Sequence, residues 1–131
     1  MVKSVTNMLT EARASVGIES PVDAGAELAA GNAVFIDVRQ SDEFASGHIG
    51  GSISVPRGLL EFIADPACPK HEPELLPERH IIVVSTTGAR AALAAATLQS
   101  MGYPDVAVLV GGITAWVAEG RSLTERAYSS A

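Results

Sequence analysis

The chain has 131 residues, 47% of them apolar and 18% charged, enough to bury a core as one domain without staples. Its formal net charge of −6 argues against nonspecific attraction to nucleic acid or anionic lipid, yet leaves room for a local positive site that binds a small anion. One cysteine excludes an internal disulfide and a thiolate-rich metal site, and no apolar run approaches the length of a membrane span.

The opening stretch MVKSVTNMLTEARASV lacks the apolar centre and cleavage site of a secretory signal, so a cytoplasmic location is the expectation. Within it, residues 4–15 carry Val5, Met8, Leu9 and Ala12 at helical spacing, which predicts an amphipathic helix. Ser20-Pro21 reads as an N-cap with proline at the first helical position, and Gly31 as a stop, which brackets a second helix over 21–30. Ala33 to Val38 is a continuous apolar run of strand length, interrupted only by Asp37 near its end. Ser41 is then expected to cap a short helix, Asp42–Ser46, with acidic residues in its first turn and Gly47 at its end.

Ile53–Val55 reads as another strand stopped by Pro56, and Gly58–Ala64 as a short helix. Residues 65–80, with four of the seven prolines and much charge, read as a surface loop. Strand 81–84 follows, then the segment Ser85-Thr86-Thr87-Gly88-Ala89-Arg90, then an alanine-rich helix over 90–101 that ends at Gly102 in a left-handed cap. Val106–Val110 is a further strand, and Gly111-Gly112 turns into a last helix around Ala115–Ala118, closed by Gly120. The domain is thus expected over 20–122, behind a helical lead-in at 1–19 and ahead of a loose, serine-rich tail at 123–131.

Strands alternating with helices at this spacing predict an α/β fold, a parallel sheet of about five strands with helices on both faces. In such sheets ligands sit beyond the carboxyl ends of the strands, where Asp37 and Ser85 both lie. A strand, a six-residue loop and a helix start make an anion cradle, because the loop N–H groups of residues 86–90 and the helix N-terminus converge. Arg90 adds a fixed cation at its rim facing the anion; the plainer use, a solvated arginine at the helix start, is disfavoured because a cation at a helix N-terminus opposes the dipole unless something negative sits beside it.

These residues resemble a known family. Asp37-Val38-Arg39, Glu43-Phe44, Gly47-His48-Ile49 with Gly51-Ser52-Ile53, Val55-Pro56, the 85–90 loop, Leu98 to Tyr103, Val106, Gly111-Gly112 and Trp116 match rhodanese-like single-domain sulfurtransferases in order and spacing. The match runs from about residue 20 to residue 121. The resemblance implies a three-layer rhodanese-like fold without a cofactor. It also implies a loop cysteine that takes sulfane sulfur from a donor such as thiosulfate and passes it to cyanide or a thiol acceptor. Four residues separate position 85 from Arg90, as in the sulfurtransferases; related phosphatases carry one more.

This chain has Ser85 where the family has its cysteine. A cysteine in a positive cradle has its pKa lowered to roughly 3.5–7.5 and is abundant as thiolate. A serine hydroxyl is a weak nucleophile without an adjacent base, the loop contains no histidine, and an alkoxide could not hold a persulfide. Transfer through residue 85 is therefore expected to be impaired, whether the serine is a degenerate natural position, a Cys→Ser replacement or an ordinary loop residue. The alternatives are a sensor or partner-binding module that uses the same cradle without turnover and, last, hydrolysis by Ser85.

Several residues admit a plainer use beside the chemical one. Asp37 and Arg39 either shape the positive field of the site or form an ion pair that holds neighbouring loops. His48 reads as a turn histidine, Arg57 as a solvated cation, Gly111-Gly112 as a backbone requirement and Trp116 as core. Cys68 lies in the proline-rich loop, where it is either an ordinary cysteine or a substitute thiol, and with His71 it offers too few ligands for structural zinc. The stripe on helix 4–15 serves packing on its own domain, or a homodimer.

Overall fold

A computed structural model of the chain describes residues 1–125. The strands β1 (Gly17–Glu19), β2 (Ala33–Asp37), β3 (Ile53–Ser54), β4 (His80–Val84) and β5 (Val106–Leu109) form one parallel sheet in the order β1-β5-β4-β2-β3. The helices are α1 (Val5–Ser15), α2 (Pro21–Ala30), α3 (Ser41–Ser46), α4 (Leu60–Ala64), α5 (Ala89–Ser100) and α6 (Gly112–Ala118). A 3₁₀ turn at Arg57–Leu59 leads into α4.

The continuous apolar runs are explained by the pleat, which sends alternate side chains to opposite faces. Val34, Ile36, Ile81 and Val83 face one core with residues of α1, α4 and α5, among them Ala12, Leu60, Ala91 and Leu98. Phe35, Ile82, Val84 and Leu109 face the other, against Ala24 of α2 and Ile113 and Trp116 of α6. Burying each such side chain contributes roughly 1.5–3 kcal/mol. Truncating fully buried Ile82 to alanine costs about 2–5 kcal/mol.

Local signals act much as read. Ser20 Oγ accepts the Asp23 N–H at 3.1 Å, Pro21 opens α2, and Gly31 ends it with φ +73°. Helix α1 begins after Ser4, whose Oγ accepts the Asn7 N–H at 3.0 Å. Helix α5 stops at Ser100, and Gly102 takes φ +105° in the turn that follows.

Other details differ. Four apolar segments were legible as strands; the fifth strand is β1, only three residues long, with Gly17 and Ile18 exposed. It exists because β5 offers a free edge, pairing Gly17 with Ala107 and Glu19 with Leu109. The N-cap of α3 is Gln40 rather than Ser41, which is the first helical residue. Val55 is fully buried yet lies past the end of β3.

The 65–80 loop is pinned at Leu75, which is buried and whose carbonyl, with that of Ala64, lies within hydrogen-bond reach of the Tyr103 hydroxyl, at 2.9 and 2.6 Å. The segment expected to be loose from residue 123 starts out attached. Leu123 packs on the second core, and Thr124 exchanges two backbone hydrogen bonds with His48 at 2.9 and 2.7 Å. The rest of that segment, 126–131, lies outside the described residues.

Candidate functional site

Ser85 follows the carboxyl end of β4 and is 1% exposed. Its Oγ accepts two backbone N–H groups, from Gly88 and Ala91, each at 3.1 Å. The second donor belongs to the first turn of α5, so Ser85 satisfies a helix N–H that a side-chain cap would otherwise take. Gly88, the N-cap residue, makes the turn into α5 at φ +108°. Among the described residues the N–H groups of Thr86, Thr87, Ala89 and Arg90 find no protein acceptor, and the Ser85 hydroxyl finds none for its own proton.

The start of α6 holds the loop's carbonyls. Ile113 N–H donates to Ser85 O and Thr114 N–H to Thr86 O, both at 3.0 Å. Contact here is so close that a Cβ on Gly112 would lie 2.2 Å from Ser85 O and 2.6 Å from Thr86 O. Gly112, at φ +59°, is therefore part of what shapes the loop as well as a turn residue.

Arg90 is paired, though its side chain stays 41% exposed. Its guanidinium donates to Glu43 Oε1 at 2.8 Å and Oε2 at 3.1 Å, and to Thr86 Oγ1 at 3.0 Å. Glu43 Oε1 also accepts the Gln40 N–H at 2.9 Å. The bond from Arg90, then that from the Gln40 backbone, hold the Glu43 carboxyl well below the usual carboxylate range, at about 2. Glu43 in turn raises the pKa of Arg90 and supplies the negative partner that a cation at the start of α5 requires. The acidic first turn of α3 was visible in the sequence, but its pairing across 47 residues was not.

Asp37 and Arg39 form a buried ion pair, 0% and 6% exposed. Arg39 Nε lies 3.0 Å from Asp37 Oδ1, and one terminal guanidinium nitrogen donates to Oδ2 at 2.8 Å and to Gly47 O at 2.7 Å. That last bond ties the end of β2 to the end of α3, and so fixes the helix that presents Glu43. The pair serves the site as a brace.

His48 is a buried turn residue, its Nδ1 2.9 Å from Phe44 O and its ring stacked on Phe44 at 3.8 Å. Arg57, still 37% exposed at its side chain, donates to Glu61 and Thr97. Cys68 is half-buried, and the His71 ring meets Leu75 O at 2.9 Å within the same loop. Trp116 packs edge-on against Phe35. Among the described residues the grouping of three metal-ligating side chains is Glu19, Glu27 and His80, with His80 at the opposite end of β4 from Ser85.

Residues 20–119 match the model of the rhodanese-like domain, and the chain belongs to that family. It is similar to the structure of a protein of unknown function, possible tyrosine phosphatase, from Rhodopseudomonas palustris, at 35% identity and a TM-score of 0.87 over 95% of this chain and 96% of that one. It is 31% identical to a sulfurtransferase of Allochromatium vinosum over 66% of this chain and 74% of the relative. It is also 32% identical to the uncharacterized protein YibN of Escherichia coli over 67% of this chain, which spans 58% of that relative's length. No helix among the described residues is long and apolar enough to cross a membrane.

Proposed function

We propose that this rhodanese-like domain binds a small sulfur-containing anion in the 85–90 loop, and that serine at position 85 leaves it unable to complete sulfur transfer. The reading rests on the hydrogen bonds of Ser85: two N–H donors converge on an oxygen whose own proton has no acceptor among the described residues. That is a setting for an anion such as a thiolate, which accepts only, and the positive end of α5 favours the charge further. The four unpartnered N–H groups around it supply donors for the oxygens of a bound oxyanion.

With cysteine at 85, the thiolate would attack the outer sulfur of thiosulfate. The S–S bond breaks, sulfite leaves with the electron pair, and the sulfur remains as a persulfide. Cyanide then takes that outer sulfur as thiocyanate and restores the thiolate. Serine keeps the hydrogen bonds and removes the atom that carries the sulfur. A hydrolytic use of Ser85 has no support from a base, since none of the histidines bonds it among the described residues. The four-residue spacing between Ser85 and Arg90 argues likewise against a phosphatase reading of this chain.

The test is thiocyanate formation from thiosulfate and cyanide. The chain is expected to give none, and Ser85→Cys to give measurable turnover. A folded but inactive Ser85→Cys would favour the binding-module reading. Activity in the unaltered chain would refute the argument about serine and make Cys68→Ala the next variant.

A further inference from the structure

Beside the loop lies a groove of about 480 Å³ whose walls are Ile18 of β1, Val108 and Val110 around the end of β5, and Thr87 and Gly88 of the loop, with Arg13 of α1 at its margin. Its volume falls within the range that holds small ligands. Ile18 is 69% exposed and Val110 44% exposed, so an apolar wall stands open to solvent next to the cradle. Arg13 makes no ion pair among the described residues, in a chain whose net charge is −6. Arg13 is an exposed cation in the last turn of α1, and its place on the lining of an apolar trough favours a molecule with an anionic head and an apolar body. Arg13 and Ile18 precede the family match, which begins at residue 20.

We infer that the groove is a binding site for a small carboxylate with a compact apolar body, its carboxylate on Arg13 and its body on Ile18 and Val110. As neighbour of the cradle it would receive the organic part of a sulfur donor or acceptor; that role rests on the function proposed above, and the binding itself does not.

3-Phenylpropionate serves as probe, titrated into the full chain while backbone amide NMR signals are followed. Shifts are expected at Ile18, Gly88, Val110 and Gly111. Affinity should fall about tenfold for Arg13→Gln and for the neutral analogue 3-phenylpropanol. A thiosulfate titration, read at the amides of residues 86–90, reports separately on the cradle, so either site can fail alone. No saturable binding of 3-phenylpropionate, shifts confined to other surfaces, or equal affinity for the acid, the alcohol and the Arg13→Gln variant would overturn the inference.

Discussion

Arg90 and Glu43 meet fork to fork, at 2.8 and 3.1 Å, so that the cation of the loop is held by a carboxylate from a different helix. The same guanidinium bonds Thr86 at 3.0 Å, which ties the far end of the loop to its beginning. Glu43 thus acts as a positioning residue for the cradle, through Arg90.

Removing Glu43 is expected to free Arg90 and spread its positions. In the Ser85→Cys background, Glu43→Ala should lower kcat/KM for thiosulfate by about tenfold or more, as misplacement of a group in a site does. Because the pair is partly exposed, the loss in folding stability should stay within about 1 kcal/mol. Steady-state kinetics and urea denaturation of the same variant separate the two effects; a stability loss that accounts for the activity loss would show Glu43 to be merely structural.

Asp37→Asn should be far more costly to the fold. Arg39 would be left charged and buried with one partner fewer, a loss of about 3–5 kcal/mol. The double variant Asp37→Leu, Arg39→Met leaves no orphan charge and should unfold at a higher urea concentration than Asp37→Asn. The reverse order would contradict the role of the pair as a buried brace.

Gly112→Ala puts a methyl group on the carbonyls of Ser85 and Thr86 at a positive φ. Left-handed strain and overpacking each cost roughly 1–3 kcal/mol. Thermal unfolding should therefore fall by on the order of 10 °C. Thiosulfate-induced shifts at the amides of residues 86–90 should weaken in the protein that remains folded. An unchanged melting temperature would mean that α6 does not press on the loop.

His80 links β4 to the edge strand β1 through Glu19, and to Asp105 at 2.8 Å. Burial lowers its pKa, but the hydrogen bonds from Glu19 and Asp105 outweigh that and raise it above the ordinary value of 6.5. Its contribution to stability is therefore fully present below that ordinary value and is lost as pH rises through the raised one. Urea midpoints should drop on going from pH 6 to pH 9, and His80→Gln should flatten that dependence. A wild-type midpoint insensitive to this change would show that the linkage does not strengthen with charge.

The α/β class, four of the strands, the helices and the 85–90 loop were legible in the sequence, since each depends on neighbours in the chain. Apolar runs of strand length, Ser20-Pro21 and Gly31 around α2, and glycines at turns all act over a few residues. Strand β1 was not legible, because a three-residue edge strand with an exposed Ile18 has no pattern of its own and is induced by β5. Nor was the partner of Arg90, because Glu43 lies 47 residues away in the chain.

The sequence by itself determined that a loop rich in backbone donors stands at the end of a buried strand, with a serine at its head. Only the tertiary structure decided how that loop is held: Glu43 on Arg90, Arg39 on Gly47, and α6 on the carbonyls of Ser85 and Thr86. The physical reason is range. Strand burial and helix starts are set by adjacent residues, whereas ion pairs and close backbone contacts join positions whose meeting depends on the whole sheet being in register.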